Sequence, residues 1–224
     1  MDKGKLVVIE GAGDGMGKST QHALLRDRLI SDGENVITHH YPSYGEYSGM
    51  GVEAFLRGDF GSSRDVSPYV VNMLYAYDRL IKWLNEHKTL YDEGATILLD
   101  RYTTSSIIYQ SVLFEDIQKK KDFINYVIDF EYGKLGLKEP DNTIFLYAPF
   151  DVVKSLLINR KNNAGIKQDV FEKDLDYIRQ VYENSLFVAD YLSWNMVKCN
   201  DGDKMLDIDS IHQKVYSLVK KDGK

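Results

Sequence analysis

With 224 residues, 43% hydrophobic side chains, only four prolines and no long Ser/Gly tract, the chain can bury one sizeable core and shows no linker, so residues 1–224 read as a single domain. A net charge of -6 and a pI near 5.4 exclude a global basic field that would draw the protein to nucleic acid or to an anionic membrane. Any anionic ligand must therefore be held by a local site. Cys199 is the only cysteine, which excludes an internal disulfide and a multi-cysteine zinc site and suits a reducing compartment; it reads as a small buried hydrophobe.

The opening "MDKGKLVVIEG" holds too short an apolar run for a signal peptide, and no later run approaches a membrane span, so a soluble, cytoplasmic protein is expected. Leu6–Glu10 reads as a strand that runs into Gly11, Gly13, Gly15 and Gly17 and then Lys18-Ser19-Thr20. Each glycine gives up more conformational freedom on folding than any other residue, so a loop this rich in them calls for a function. Without side chains, successive backbone N–H groups converge on phosphate oxygens, and the helix that follows adds the positive end of its dipole. Lys18 then reaches the β- and γ-phosphates of ATP, and the Ser19 hydroxyl ligates Mg²⁺. Gly11, Ala12, Gly13, Asp14, Gly15, Met16, Gly17, Lys18, Ser19 and Thr20 are thus the candidate ATP-binding P-loop. Against the spacing G-x-x-x-x-G-K-[ST], the first glycine position holds Ala12, flanked by Gly11 and Gly13, and the loop is about one residue longer than usual. A glycine-rich turn capped by chance with Lys-Ser is the competing reading. The strand before, the helix after and the Gly-Lys-Ser-Thr quartet weigh against it.

The first helix, from about Lys18, stops at Gly33, and Asn35–His40 reads as the second strand. Ser67-Pro68 supplies an N-cap and a first-turn proline. Val70, Leu74, Tyr77, Ile81 and Leu84 follow three and four residues apart, the spacing of a core-facing helical stripe. Ala95–Asp100, Asn142–Tyr147 and a weaker Trp194–Lys198 complete the strands, several of them too uniformly apolar to alternate faces. A β-α-β-α succession of this kind predicts an α/β fold of P-loop NTPase type: a parallel five-stranded sheet with helices on both faces and ligands beyond the carboxyl ends of the strands.

The stretch "LLDRYTTSSIIYQ", residues 98–110, ends a buried strand in Asp100 and passes at once to Arg101. Asp100 is placed to hold a magnesium-bound water, and Arg101 to grip a second phosphate bidentately; a surface salt-bridge pair reads the same way. No Asn-Lys-x-Asp guanine-reading motif occurs, and the five histidines have no metal-ligand spacing.

The order and spacing of "EGAGDGMGKSTQ", "YPSYGEYSGMGVEAFLRGDFG", "LYAYDR", "DRYTTSSIIYQ", "PDNTIFLYAP", "NRKNNAGIKQDVFEKD" and "CNDGDKMLDIDSIHQKV" resemble the thymidylate kinase family over nearly the whole chain. The resemblance implies ATP-dependent phosphorylation of dTMP to dTDP, with Mg²⁺ as cofactor, a homodimer and a short lid at about 160–168. It implies Tyr75 against the thymine and Arg79 on the base edge, at an i, i+4 spacing that puts both on one helix face. It further implies Asp14 at the sugar 3′-hydroxyl, Arg101 on the monophosphate, Ser105 or Ser106 facing the base, Phe171 under the sugar, and Leu56 with Pro42 at the base methyl. Two departures stand out. Gly15 occupies the position where some relatives place a P-loop arginine, so charge must come from the lid, where Arg160 is the first choice over Lys161 and Lys167. In "YPSYG" the arginine often found after the proline is missing, and Ser43 or Tyr44 stands instead. A kinase for another (deoxy)nucleotide or deoxynucleoside, and a non-kinase nucleotide switch, are the alternative readings. The apolar helix after Pro68 suits a dimer interface as well as a core.

Overall fold

The computed structural model describes the backbone of residues 3–13, 15–61, 65–163 and 168–221, and the side chains of these residues except 159–174 and 221. Strands β1 (Lys5–Gly11), β2 (Val36–His40), β3 (Thr96–Asp100), β4 (Asn142–Tyr147) and β5 (Asn195–Lys198) form one parallel sheet in the order β2-β3-β1-β4-β5. Each lies within one residue of its expected ends. The burial pattern explains why they were legible. Leu6 to Gly11 of β1, Thr96 to Leu99 of β3 and Asn142 to Leu146 of β4 are buried without a break, as central strands covered on both faces must be. The outer strands β2 and β5 keep exposed positions.

The helices are α1 (Lys18–Ser31), α2 (Met50–Arg57), α3 (Pro68–Lys82), α4 (Lys88–Asp92), α5 (Thr103–Ser111), α6 (Ile117–Ile128), α7 (Phe150–Asn163), α8 (Gln168–Tyr191) and α9 (Ile208–Lys221). Two π-helical stretches, Trp83–His87 and Asp129–Lys134, follow α3 and α6 directly, and β6 (Asn200–Asp201) pairs antiparallel with β7 (Lys204–Met205). Among the described residues no helix is long and apolar enough to cross a membrane.

The chain divides into two compact units, Met1–Val8 with Asp32–Asp141, and Ile9–Ser31 with Asn142–Lys224. In the first, Leu6, Ile97, Leu99, Tyr41, Trp83 and Tyr102 share one apolar core. Asp141 closes the end of β1 by accepting the Leu6 N–H at 2.8 Å while its own N–H reaches the Leu6 carbonyl at 2.9 Å. In the second, α9 packs on α1, with the Arg28 guanidinium 4.7 Å from the Tyr216 ring centre and Gln21 Nε2 donating to the Ile208 carbonyl at 3.1 Å. Cys199 is a free thiol with no exposed surface, and burial pushes its pKa up to about 11.

Two expectations need correction. The stripe on α3 does not face the core as a whole: Val70, Tyr77 and Leu84 are 44%, 50% and 55% exposed, Leu74 and Ile81 are half-buried, and the buried face is Val71, Asn72, Ala76, Asp78, Arg79 and Lys82. Apolar spacing identifies a face but not what it meets, and Asp78, Arg79 and Lys82 of the inner face are buried because long-range partners satisfy them, whereas the Asn72 amide is buried with no hydrogen-bond partner. Leu84 also lies beyond α3, in the π-helical stretch, where the wider turn shifts the face. At the expected lid, α7 continues to Asn163, so the backbone of Arg160 and Lys161 is helical and not loop. Residues 164–167 lie outside the described residues.

Candidate functional site

The elements expected to bind nucleotide lie in the second unit. At the end of β1 the Ala12 N–H donates to the Leu146 carbonyl at 2.9 Å, and a Cβ on Gly11 would come within 3.2 Å of that oxygen and 3.3 Å of Lys18 Cγ. A side chain at the first glycine would thus crowd the packing of strand, loop and lysine stem, which would have to give by a few tenths of an ångström. Gly15 and Gly17 have φ of +84° and +81°, the left-handed region that favours glycine. The Gly17 carbonyl accepts the Gln21 N–H at 2.9 Å and opens α1, whose first turn holds no acidic residue. Its leading N–H groups have no intrahelical acceptor, which makes this end suited to an anion. Lys18 is buried along its stem and donates from Nζ to the Gly13 carbonyl at 3.0 Å, so its ammonium is folded over the loop. Ser19 and Thr20 are exposed on the first turn. Ala12 and Met16 point inward and are 0% and 1% exposed, which makes them loop supports. Asp14 lies outside the described residues.

A second set of residues assembles in the first unit where β3 ends. Asp100 Oδ2 is 3.1 Å from His40 Nδ1. Arg101 adopts φ +66°, a conformation costing a non-glycine residue about 1–3 kcal/mol and found mainly where function demands it. Its guanidinium sits 5.7 Å from the Tyr109 ring centre. Tyr75 is half-buried. Burial is the main cause raising its phenol pKa, and Tyr44, Arg79, Arg101 and Tyr109 are the groups that further shape it. The structure thus brings Tyr75, Arg79 and Arg101 into one neighbourhood, as expected, and adds Tyr44 and Tyr109. Tyr44 is 59% exposed, whereas its neighbour Ser43 is turned inward, so of the two candidates for the missing arginine's position Tyr44 is the one presented outward.

Arg79 is 1% exposed and donates from Nε and Nη2 to the two oxygens of Glu131 at 2.8 and 2.6 Å, from Nη2 to Ser106 Oγ at 3.0 Å, and from Nη1 to the Tyr102 carbonyl at 3.4 Å. Thr103 Oγ1 donates to the same carboxylate at 2.7 Å. Burial opposes the charge on Arg79, but Glu131 more than offsets it and the pKa is raised. Sequence reading missed Glu131, whose one local sign is a lone acid between Phe130 and Tyr132. It also missed Gln110, which shares a face of α5 with Thr103 and Ser106 and whose buried Oε1 has no partner. Ser105 is half-buried, and its N–H donates to the Tyr102 carbonyl at 3.1 Å. Pro42, joined to Tyr41 by a cis peptide bond, is buried, and Leu56 on α2 is 52% exposed. The side chains of Arg160, Lys161, Lys167 and Phe171 lie outside the described residues.

No cluster of three or more His, Cys, Asp or Glu side chains among the described residues could cage a metal ion. The Ser19 hydroxyl of the second unit and the Asp100 carboxylate of the first are each a hard oxygen donor of the kind Mg²⁺ takes, an ion that keeps several waters and uses few protein ligands.

A parallel sheet whose first strand runs through a glycine loop into Gly-Lys-Ser-Thr at a helix start, with a strained Asp-Arg step after another strand, defines a P-loop phosphotransferase of α/β class. The family model for thymidylate kinase matches residues 9–208. A probable thymidylate kinase of Staphylothermus marinus is 32% identical over 218 residues, 97% of this chain and 96% of the relative. One of Caldivirga maquilingensis is 33% identical over 178 residues, 79% and 77% of the two chains, and the thymidylate kinase of Thermoanaerobacter pseudethanolicus is 28% identical over 222 residues, 98% of each. The chain belongs to the thymidylate kinase family, the ATP-dependent kinases that phosphorylate dTMP on the route to dTTP.

Proposed function

We propose that this kinase holds ATP on Gly11–Thr20 and dTMP on the Tyr75, Arg79 and Arg101 cluster, and passes the γ-phosphoryl group to the dTMP phosphate to give dTDP. The observation that carries the residue assignment is the gathering of Tyr75, Arg79 and Arg101 in one place, with Arg101 held at a strained backbone angle. Lys18 leaves the Gly13 carbonyl for the phosphates, the stronger partner for an ammonium. Arg101 aligns the acceptor, whose phosphate is already ionised and needs no strong base. Arg79 is a donor only and suits the carbonyl of a thymine in preference to the amino group of a cytosine. Ser106 and Gln110 on α5 are the further base-facing candidates, Ser105 the alternative to Ser106. Asp14 reads the sugar 3′-hydroxyl, Phe171 excludes a 2′-hydroxyl, and Pro42 with Leu56 meets the base methyl. Ser19 would be a protein ligand for Mg²⁺ and Asp100 would hold one of its waters, and the ion would supply neutralisation of phosphate charge. Arg160 supplies the positive charge that Gly15 cannot, and closure over the site excludes water.

The exposed apolar stripe of α3 supports a homodimer, and the free Cys199 thiol supports a reducing, cytoplasmic setting. The test is a coupled ADP-release assay with ATP, Mg²⁺ and a panel of nucleosides and monophosphates. Turnover of dTMP is expected to exceed that of dCMP, dGMP and dAMP, and turnover of an unphosphorylated nucleoside alone would overturn the reading.

A further inference from the structure

Asp78 lies in the middle of α3 with no exposed surface, and its carboxylate is bound entirely to one short segment of chain. Oδ2 accepts the Ser43 N–H at 2.8 Å, and Oδ1 accepts the Ser48 hydroxyl at 2.6 Å. Ser43 and Ser48 are themselves buried, and they bracket the turn that presents Tyr44. One carboxylate therefore pins both ends of residues 43–48. One turn further along α3, Lys82 Nζ reaches Glu46 of the same segment at 2.7 Å. The segment is also closed on itself, because a Cβ on Gly49 would lie 2.3 Å from the Ser43 carbonyl oxygen. His39 Nε2 hydrogen-bonds Ser43 Oγ at 2.9 Å, and the Gly45 N–H donates to Glu53 Oε1 at 2.6 Å. A solvent-facing loop held from inside by a buried carboxylate is an arrangement that stability alone does not call for, since burying a charge is costly unless every acceptor site is used.

We infer that Asp78 is a positioning residue for the acceptor site: it fixes the 42–49 segment so that Tyr44 is held beside Tyr75 before dTMP arrives. This rests on the reading of that cluster as the dTMP site. Where relatives place a long arginine after the proline, this chain has Ser43, whose N–H and hydroxyl are both engaged inward. A rigid seat for Tyr44 replaces the reach of the missing side chain. Pre-organisation of this kind lowers the ordering cost of binding and so acts on KM for one substrate.

The experiment compares wild type with Asp78→Asn, which keeps the shape but removes the charge from both hydrogen bonds, leaving one oxygen to accept the Ser43 N–H and an amide NH₂ that can only donate to Ser48 Oγ, and with the milder Ser48→Ala. Hydrogen exchange of the 42–49 amides is measured without ligand, and KM and kcat are measured for dTMP and ATP separately. Expected for both variants are faster exchange at Ser43 and a rise in KM for dTMP. The rise is about tenfold for Asp78→Asn, the size of one lost hydrogen bond to a charged group, with KM for ATP within about twofold. Unchanged exchange in folded variants overturns the clamp. Faster exchange with unchanged KM for dTMP, or equal rises for both substrates, overturns the positioning role. Should Asp78→Asn fail to fold, Ser48→Ala decides alone. Wild type without dTMP turnover would instead overturn the underlying site reading.

Discussion

Lys18 holds its ammonium 3.0 Å from the Gly13 carbonyl, at the base of the loop that its stem packs against. Lys18→Ala should therefore abolish ADP release with a small change in melting temperature, and near-normal activity would rule out the P-loop assignment. Arg79 is a different case, because it is half of a buried ion pair. Arg79→Ala strands Glu131, which is 0% exposed, and should destabilise the fold by about 3–5 kcal/mol in urea melts, obscuring any effect on base binding. Replacing both partners, Arg79→Met with Glu131→Leu, should restore most of that stability while KM for dTMP stays raised. Recovery of dTMP binding in the double variant would remove Arg79 from the base site. His87 gives a pH signature. Burial, then His39, lowers its pKa from 6.5 to about 4, so in the folded protein it stays neutral where the unfolded chain binds a proton. Stability should thus be unaffected by this group above about pH 6.5 and fall as pH drops from there towards 4, by about 3 kcal/mol at full effect. His39 is lowered in the same direction, chiefly by burial. Urea midpoints of wild type and His87→Gln between pH 7 and 4.5 should diverge in slope, and parallel slopes would contradict the assignment.

At the level of elements, α3 ties the proposed acceptor side together: Asp78 seats the segment after β2, Arg79 binds the start of α5 and the π-helical stretch after α6, and Lys82 adds Glu46 and Glu86 at 2.7 Å each. α7 frames the corresponding question for the donor, since the backbone of Arg160 falls within its last turn. An arginine neutralising a transferring phosphoryl group is worth roughly 10³–10⁵ in kcat, so Arg160→Ala should depress kcat steeply with little change in KM for ATP, and Lys167→Ala should do less. A loss under about tenfold, or 1.4 kcal/mol of barrier, would leave the lid as a water-excluding cover only. These elements also show what a sequence discloses. The central strands were legible because burial on both faces writes an unbroken apolar run. The P-loop was legible because its glycines and Lys18 are contiguous. The inner face of α3 was not, because the partner that makes Arg79 buriable lies 52 residues away and a periodicity over fifteen residues carries no trace of it. Nor could a dipeptide such as Asp100-Arg101 announce a left-handed backbone at an arginine. Tyr75 with Arg79 is proposed through family resemblance, and Glu131, Asp78 and Gln110 stand out only through their contacts or the lack of one.

For the molecule as a whole, the α3 stripe that the core does not use is the feature that needs a partner. Val70, Met73 and Tyr77 are 44%, 50% and 50% exposed at successive spacings of three and four, and Tyr69 at 40% adjoins them. Singly exposed apolar residues are ordinary, but a continuous row along one helix is the pattern of an interaction surface. The inner face of the same helix carries the Arg79–Glu131 and Asp78–Ser48 contacts, so the outer row cannot be relieved by rolling α3 inward without breaking them. In the proposed homodimer a second copy of the chain would join along α3. Met73→Glu with Tyr77→Glu puts like charges at the centre of such a contact, where repulsion and desolvation act together, and touches none of the buried polar groups. Light scattering after size exclusion should report the mass of two chains for wild type and of one for the variant, with the variant's far-UV circular dichroism unchanged. A wild type that runs as one chain, or a folded variant that remains paired, would show that α3 is not the interface.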